Sequence, residues 1–485
     1  MLFHSFGYLL LFLPIVVGVH AILRARTSWP WPQVWILAAS VFFYTRAATA
    51  NLKLLTASIL FNWAIARAMK AQENGRKRRW FLWIGLTVNI TTLFLFKYIQ
   101  LFLGTIAYLH GPRLPFPDWG FPLGVSFFTL MQIMYLVDAF PRAPESAAAR
   151  KLFRGLASAN SLFEHACFVA FFPYMVSGPL TRVRHVLPQL RGDTMTEPRA
   201  LMACRGLFLF SMGLAKKVVL ADSFGTIADA GFPPRAVYST LEAWVFALSA
   251  LFHLYFDFSG YSDMALGVSW MLGIDIPQNF NAPLRARSIS EFWQRWHISL
   301  SHFITEYLYT PLFRSMGRSS LATSATATIV AMAIAALWHG PAWTFVAWGV
   351  CHGVALAGHQ VWKRRHLEMP DWAAWLVTFA FLSATIVFLR APSVGSALHM
   401  MGRLLPHLPL TAHGALVGLL PPPQTLLFRP VGVGVILAFF FGSSMDYARA
   451  FRPSLRTAFA SAALIVLSMI FMNSAPARQF VYFAF

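Results

Sequence analysis

The chain has 485 residues, 57% of them hydrophobic and 12% charged, with a mean hydropathy of +0.58, a balance that excludes an ordinary soluble enzyme of this length. Its net charge of +21 would suit a nucleic-acid binder in a soluble chain. Here the Lys and Arg residues lie in short stretches between apolar runs, the pattern of cytoplasmic loops in a membrane protein, so the bilayer and not nucleic acid is the expected partner.

Apolar runs cover 8–23, 31–45, 52–66, 80–109, 120–140, 162–177, 202–221, 242–272, 321–338, 342–362, 372–390, 430–442 and 457–472. A bilayer needs roughly 20 apolar residues per helical span, so the runs predict about a dozen helical membrane elements, the shorter ones re-entrant. The first run carries no Lys or Arg ahead of it, which favours an uncleaved span over a signal peptide ending at Val19-His-Ala21. Basic residues crowd between Arg67 and Arg79, which places that loop in the cytoplasm. Cys167, Cys204 and Cys351 are too scattered for a disulfide framework or a Cys-x-x-Cys metal site, and no metal is expected. No repeat and no alternating strand pattern occurs. The expectation is an all-α polytopic membrane protein, one integral-membrane domain over 1–485, with an amphipathic segment at 397–408 before the turn at Pro421-Pro-Pro423.

Polar chemistry then stands out against this background. Ser288-Ile-Ser-Glu-Phe-Trp-Gln-Arg-Trp-His297-Ile-Ser-Leu-Ser301 sets Glu291, Arg295 and His297 among tryptophans, including Trp296. An ionisable cluster within a membrane costs about 2.5–3.5 kcal/mol per charge at the bilayer centre and marks a functional site. Further on, no Asp, Glu, Lys or Arg occurs between Ser319 and Trp362, and Gly340-Pro341 interrupts the run. Proline removes a backbone donor and disfavours helix before it, so two spans should meet in a hairpin with His339 at the apex. Asp257 and Asp263 lie inside another apolar run. They either line a polar cavity or neutralise Arg285, Arg287 or the Lys216-Lys217 pair. Six residues apart, they point ~240° from each other on a regular helix and share a cavity only if the helix breaks near Ser259-Gly260. His352 follows the apex on one helix face, and His253, His302 and His359 are expected as core or pore-lining residues.

Taken together, Glu291-Phe-Trp-Gln-Arg-Trp-His297, Leu337-Trp-His339-Gly-Pro-Ala-Trp343 and Tyr307-Leu-Tyr-Thr-Pro-Leu312 resemble the membrane-bound O-acyltransferases, in the branch that acetylates alginate. Tyr255-Phe-Asp-Phe-Ser-Gly-Tyr-Ser-Asp263, Pro277-Gln-Asn-Phe-Asn281, Gly213-Leu-Ala-Lys-Lys217 and Phe172-Pro-Tyr-Met-Val-Ser-Gly-Pro179 extend the resemblance over nearly the whole chain. It implies a helical bundle with re-entrant helices around a central tunnel, and a catalytic role for His339 with His297 as the second site. Trp338, Trp296, Glu291, Arg295, Asp257, Asp263 and His352 would support the tunnel. A neutral imidazole, with an ordinary pKa near ~6.5, can take the proton of an attacking hydroxyl and return one to a leaving group. His297 has three readings: orienting substrate, polarising the acyl carbonyl, or capping a re-entrant helix.

The ending Phe480-Val-Tyr-Phe-Ala-Phe485 fits an aromatic interface anchor. It also resembles a terminal motif whose tyrosine, here Tyr482, would carry the acyl group to an extracytoplasmic acetyltransferase partner. The implied reaction moves acetyl from acetyl-CoA or a similar cytoplasmic thioester, a substrate and not a bound cofactor. The acetyl group crosses a bacterial inner membrane to a polysaccharide hydroxyl, of alginate or another exopolysaccharide, or alternatively of peptidoglycan. Thr305-Glu306, Phe313-Arg314 and Tyr174 depart from the family pattern and leave the acceptor open. The rival classes are a transporter of polysaccharide or lipid precursors, which should show paired broken helices in repeated halves, and a non-catalytic scaffold.

Overall fold

The computed structural model describes residues 3–111, 116–117, 119–140, 161–192, 197–232, 239–317, 319–405, 432–436, 442–474 and 478–481. These residues are predominantly helical and contain no strand, as the hydropathy pattern requires. Seven helices among them have the length and apolarity to cross a membrane. The protein is thus an all-α polytopic membrane protein. The chain divides into two compact units, one formed by Met1–Phe210 with Met264–Pro277, the other by Ser211–Asp263 with Gln278–Phe485.

In the first unit, α1 (Tyr8–Arg26), α2 (Trp31–Ala48), α3 (Leu52–Ala71) and α4 (Gly75–His110) lead to the buried helix α5 (Val125–Ala139). Tyr8, Phe12, Phe43 and Phe172 form an aromatic contact set between α1 and α2. Asn62 and Asn89 exchange side-chain hydrogen bonds of 3.3 and 2.7 Å between α3 and α4, which satisfies two amides that lipid could not. The apolar run at 162–177 does not make one span. Pro173, which cannot donate to a helical ladder, divides it into α6 (Leu162–Val169) and a single turn at Phe172–Met175.

The second unit holds the polar chemistry. Its elements are the end of α7 (Arg199–Ala215), a π-helical turn at Lys216–Ala221, α8 (Asp222–Ala230) and the first part of the long helix α9 (Thr240–Met271). There follow two short helices, α10 (Ile289–Arg295) and α11 (Ile298–Phe303), then the hairpin of α12 (Leu321–His339) and α13 (Trp343–Arg364). The hairpin turns at Gly340-Pro341 as the proline predicts. After it come α14 (Asp371–Arg390), the amphipathic α15 (Val394–Leu404), α16 (Ser444–Arg449) and α17 (Leu455–Ser474). Residues 406–408 of the expected amphipathic segment and the Pro421–Pro423 turn lie outside the described residues.

Helix α9 runs unbroken through Ser259-Gly260. Asp257 and Asp263 therefore keep their opposed directions, and each finds its own cation. Lys217 Nζ lies 2.7 Å from Asp257 Oδ1 and 2.7 Å from Asp222 Oδ1, and Lys216 Nζ lies 2.7 Å from Asp263 Oδ2. The neutralising alternative for the two acids is the one the structure adopts.

Candidate active site

Two short helices joined at a residue in the left-handed backbone region carry the first histidine. Ser288 starts α10 by accepting from Glu291 N at 3.1 Å, and Glu291 returns a carboxylate to Arg287 N at 2.7 Å. Arg295 closes the helix, donating to Glu291 at 2.9 Å and to the Asn281 carbonyl at 3.2 Å. Glu291 and Arg295 thus bind each other one helical turn apart and shape the loop. His297 follows with φ 41° and ψ 54°, in the left-handed region that costs a non-glycine residue about 1–2 kcal/mol.

Asn279 holds that turn. Its carbonyl accepts from Ile298 N at 3.0 Å, and its side-chain oxygen accepts from Ser299 N at 3.3 Å and Ser299 Oγ at 2.6 Å. On the other side Asn281 N donates to the Arg295 carbonyl at 3.0 Å. The Pro277–Asn281 motif thus supplies the frame in which His297 is held. The sequence displayed the motif without its purpose, because the pairing of an extended segment with a helix start 19 residues away is a tertiary fact.

The second histidine ends α12. His339 is 5% exposed and His297 fully buried. Both meet one indole: the Trp338 ring centroid lies 5.9 Å from the His297 ring and 5.2 Å from the His339 ring. The two motifs, 42 residues apart in sequence, meet in one aromatic nest. Trp348 of α13 stands perpendicular to His339, with centroids 5.6 Å apart at 88°. Phe258 of α9 meets His297 edge to face at 4.6 Å and 87°.

His352 continues the nest. It lies 4.4 Å from the Trp348 ring and 5.6 Å from Trp293, and its Nε2 is 3.1 Å from Thr385 Oγ1. Trp296 packs against Phe280 at 5.0 Å and Phe292 at 5.4 Å. Asp257 and Asp263 stand in ion pairs on α9, and Glu291 with Arg295 brackets α10. Tyr482 lies outside the described residues. Phe258, Trp293, Trp348 and Asn279 are the neighbours that sequence reading passed over. Trp293 and Trp348 look like core aromatics in one dimension.

A cavity of about 400 Å³ opens beside the nest, lined by Trp293, Gln294, Ile298, His302, Met332 and Gln360 among others. Trp293 is shared by the cavity and the histidine cluster. Across the hairpin, Tyr309 Oη meets Ser324 Oγ at 3.0 Å, Ser324 Oγ donates to Gln360 at 3.0 Å, and Gln360 donates to Thr328 Oγ1 at 3.1 Å. This ladder gives the cavity wall polar groups whose partners are fixed. His302 lines this cavity, and His359, bonded to Ser290 at 2.9 Å, lines a second one of about 300 Å³. His253 faces Arg390 at 2.5 Å. Chemically, the arrangement offers imidazoles in a buried, aromatic-walled pocket next to a space of small-ligand size.

Residues 145–389, which contain both histidines, match the sequence profile described as MBOAT, membrane-bound O-acyltransferase family. The chain is 38% identical to a peptidoglycan O-acetyltransferase of Helicobacter pylori, over 83% of this chain and 79% of that protein. It is 35% identical to the probable alginate O-acetylase AlgI of Azotobacter vinelandii, over 74% and 68%. Against a teichoic acid D-alanyltransferase of Streptococcus thermophilus the identity is 26%, over 73% and 81%.

Proposed function

Because the chain belongs to the membrane-bound O-acyltransferase family, we propose that it moves an acetyl group from a cytoplasmic thioester to a hydroxyl of a polysaccharide outside a bacterial inner membrane. The chain is an O-acyltransferase, and the acetyl group, the direction and the acceptor are the proposal. Its chief support is that His297 and His339, both buried, contact the same Trp338 indole.

In this reading His339 takes the proton of the acceptor hydroxyl as its oxygen bonds to the acyl carbon. The carbon–sulfur bond breaks, and the imidazolium returns the proton to the departing thiolate. His297 holds or polarises the acyl oxygen. The walls formed by Phe258, Trp338 and Trp348 keep water from competing for the thioester, since buried aromatic faces leave it no place to bind. Acetyl-CoA is the donor of choice by chemistry. Its phosphates suit the basic ends of the hairpin at Arg314 and at Lys363, Arg364 and Arg365. The acetyl group then leaves directly or through Tyr482 and an extracytoplasmic transferase partner.

Alginate or another exopolysaccharide is the first acceptor. Peptidoglycan is the second reading, favoured by the 38% identity to a peptidoglycan O-acetyltransferase. Membranes carrying wild type or His339→Ala, supplied with labelled acetyl-CoA, separate the possibilities. Wild type should label an added glycan, and His339→Ala should lose about 10²–10⁴-fold in rate. Label found in alginate or in peptidoglycan identifies the acceptor. Undiminished transfer by His339→Ala would overturn the assignment, and a transporter or scaffold would transfer no label at all.

A further inference from the structure

The buried charges on α9 have a use beyond neutrality. Asp257, fully buried, not only faces Lys217 but accepts a hydrogen bond from the backbone N–H of Val481 at 2.8 Å. The chain near its end is therefore fastened to the helix that bears Phe258. Four further contacts hold the same short segment. Phe480, 1% exposed, stacks on Tyr261 with centroids 4.5 Å apart at 19° and touches the Phe258 ring at 5.7 Å. Arg478 binds Asp229 at 2.5 Å and Thr226 at 3.2 Å on α8.

The register of these contacts follows from helix geometry. Asp257, Phe258 and Tyr261 fall within one turn of α9, so a segment laid along that face meets carboxylate and rings together. Lys217 supports the arrangement from behind, because it grips Asp257 and Asp222 at once and fixes the carboxylate's direction. A carboxylate in an apolar bundle could be neutralised by lysine alone. One that also takes a backbone N–H donor from 224 residues away selects a particular chain position.

We infer that Asp257 is a positioning residue for acyl transfer, clamping the segment Arg478–Val481 so that Phe480 braces Phe258 against His297. The inference rests on the acyltransfer reading of the two histidines. The segment reaches the histidine through one ring: Phe480 contacts Phe258, and Phe258 contacts His297 at 4.6 Å. The clamp also fixes where the chain stands one residue before Tyr482. Neither Asp257 nor Lys217 touches the reacting atoms in this scheme. Their effect on turnover passes through the segment.

The test uses the full-length protein in membranes, with Cys167, Cys204 and Cys351 replaced by serine and a reporter placed by Val481→Cys. Val481 is 8% exposed, so a membrane-permeant maleimide should label the reporter slowly. Asp257→Asn keeps the shape but loses the charge, and Phe480→Ala removes the second hold without disturbing Lys217. Each should raise the labelling rate about tenfold or more, as expected for loss of a charge-assisted bond or of buried aromatic packing. In each, kcat for acetyl transfer should fall about tenfold with KM for acetyl-CoA unchanged. Phe480→Ala keeps the test available if Asp257→Asn fails to accumulate.

Labelling that stays slow in both variants would overturn the clamp. So would release of the segment with kcat at the wild-type level. His339→Ala serves as the separate control, expected to lose turnover while the reporter stays protected. Should His339→Ala retain turnover, the catalytic assignment fails, and the labelling rates still decide whether Asp257 holds the segment.

Discussion

Gly349 approaches Ala336 across the α12–α13 hairpin so closely that a Cβ on Gly349 would lie 2.4 Å from the Ala336 Cβ and 2.5 Å from the Met332 carbonyl oxygen. Small residues at a membrane helix crossing let the backbones come together. Here that closeness sets Trp348, the preceding residue, perpendicular to His339, three residues beyond Ala336. Replacing Gly349 by alanine should destabilise the hairpin by about 1–3 kcal/mol, the cost of forced overpacking. Adding Ala336→Gly should not restore it, because the Met332 carbonyl remains in the way. Thermal unfolding in detergent, with acetyl-transfer rates alongside, checks both statements. Full rescue by Ala336→Gly would show the carbonyl contact to be harmless.

The left-handed backbone at His297 distinguishes its chemical role from a structural one. If the residue only starts α11, glycine should replace it without loss, since glycine adopts φ 41° at no steric cost. The expected outcome is different. His297→Gly should be more stable than His297→Ala by about 1 kcal/mol, while both transfer acetyl far more slowly than wild type. A fully active His297→Gly enzyme would reduce His297 to a cap.

Asn279 should prove important to activity despite lying outside the aromatic nest. Asn279→Ala removes the acceptor of the Ser299 N–H and Oγ–H bonds and should cost about 0.5–2 kcal/mol, as loss of a helix cap does. Because α11 begins at His297, turnover should fall as well. An Asn279→Ala protein with lowered melting temperature and unchanged kcat would separate the cap from the site.

Adjacent lysines should differ sharply. Lys217 has 1% side-chain exposure and serves Asp257 and Asp222, so Lys217→Met leaves a buried carboxylate uncompensated and should cost about 3–5 kcal/mol. Lys216 and Asp263 are 18% and 11% exposed, and Asp263 also accepts from Ser444 Oγ at 2.6 Å, so Lys216→Met should cost distinctly less. Asp371→Asn, which breaks the exposed pair with Arg287, should stay within about 1 kcal/mol. Melting temperatures of the three variants rank these costs directly. Equal losses for Lys216→Met and Lys217→Met would contradict the burial argument.

Much of this molecule is legible in one dimension. Apolar run lengths announce membrane helices because lipid leaves the backbone no partner but itself, and Gly340-Pro341 announces the hairpin because proline cannot continue the ladder of hydrogen bonds. The motifs around His297 and His339 named the family and the residues to watch, since few sequences place histidine among tryptophans in an apolar run. The tertiary structure decided what these residues are to one another. It brought both histidines onto the Trp338 indole, gave Asp257 to Lys217 and to the Val481 N–H, and made Asn279 the cap of α11. Periodicity reports only which face of a helix avoids water. Which residue meets that face from 20 or 224 positions away depends on how the helices pack.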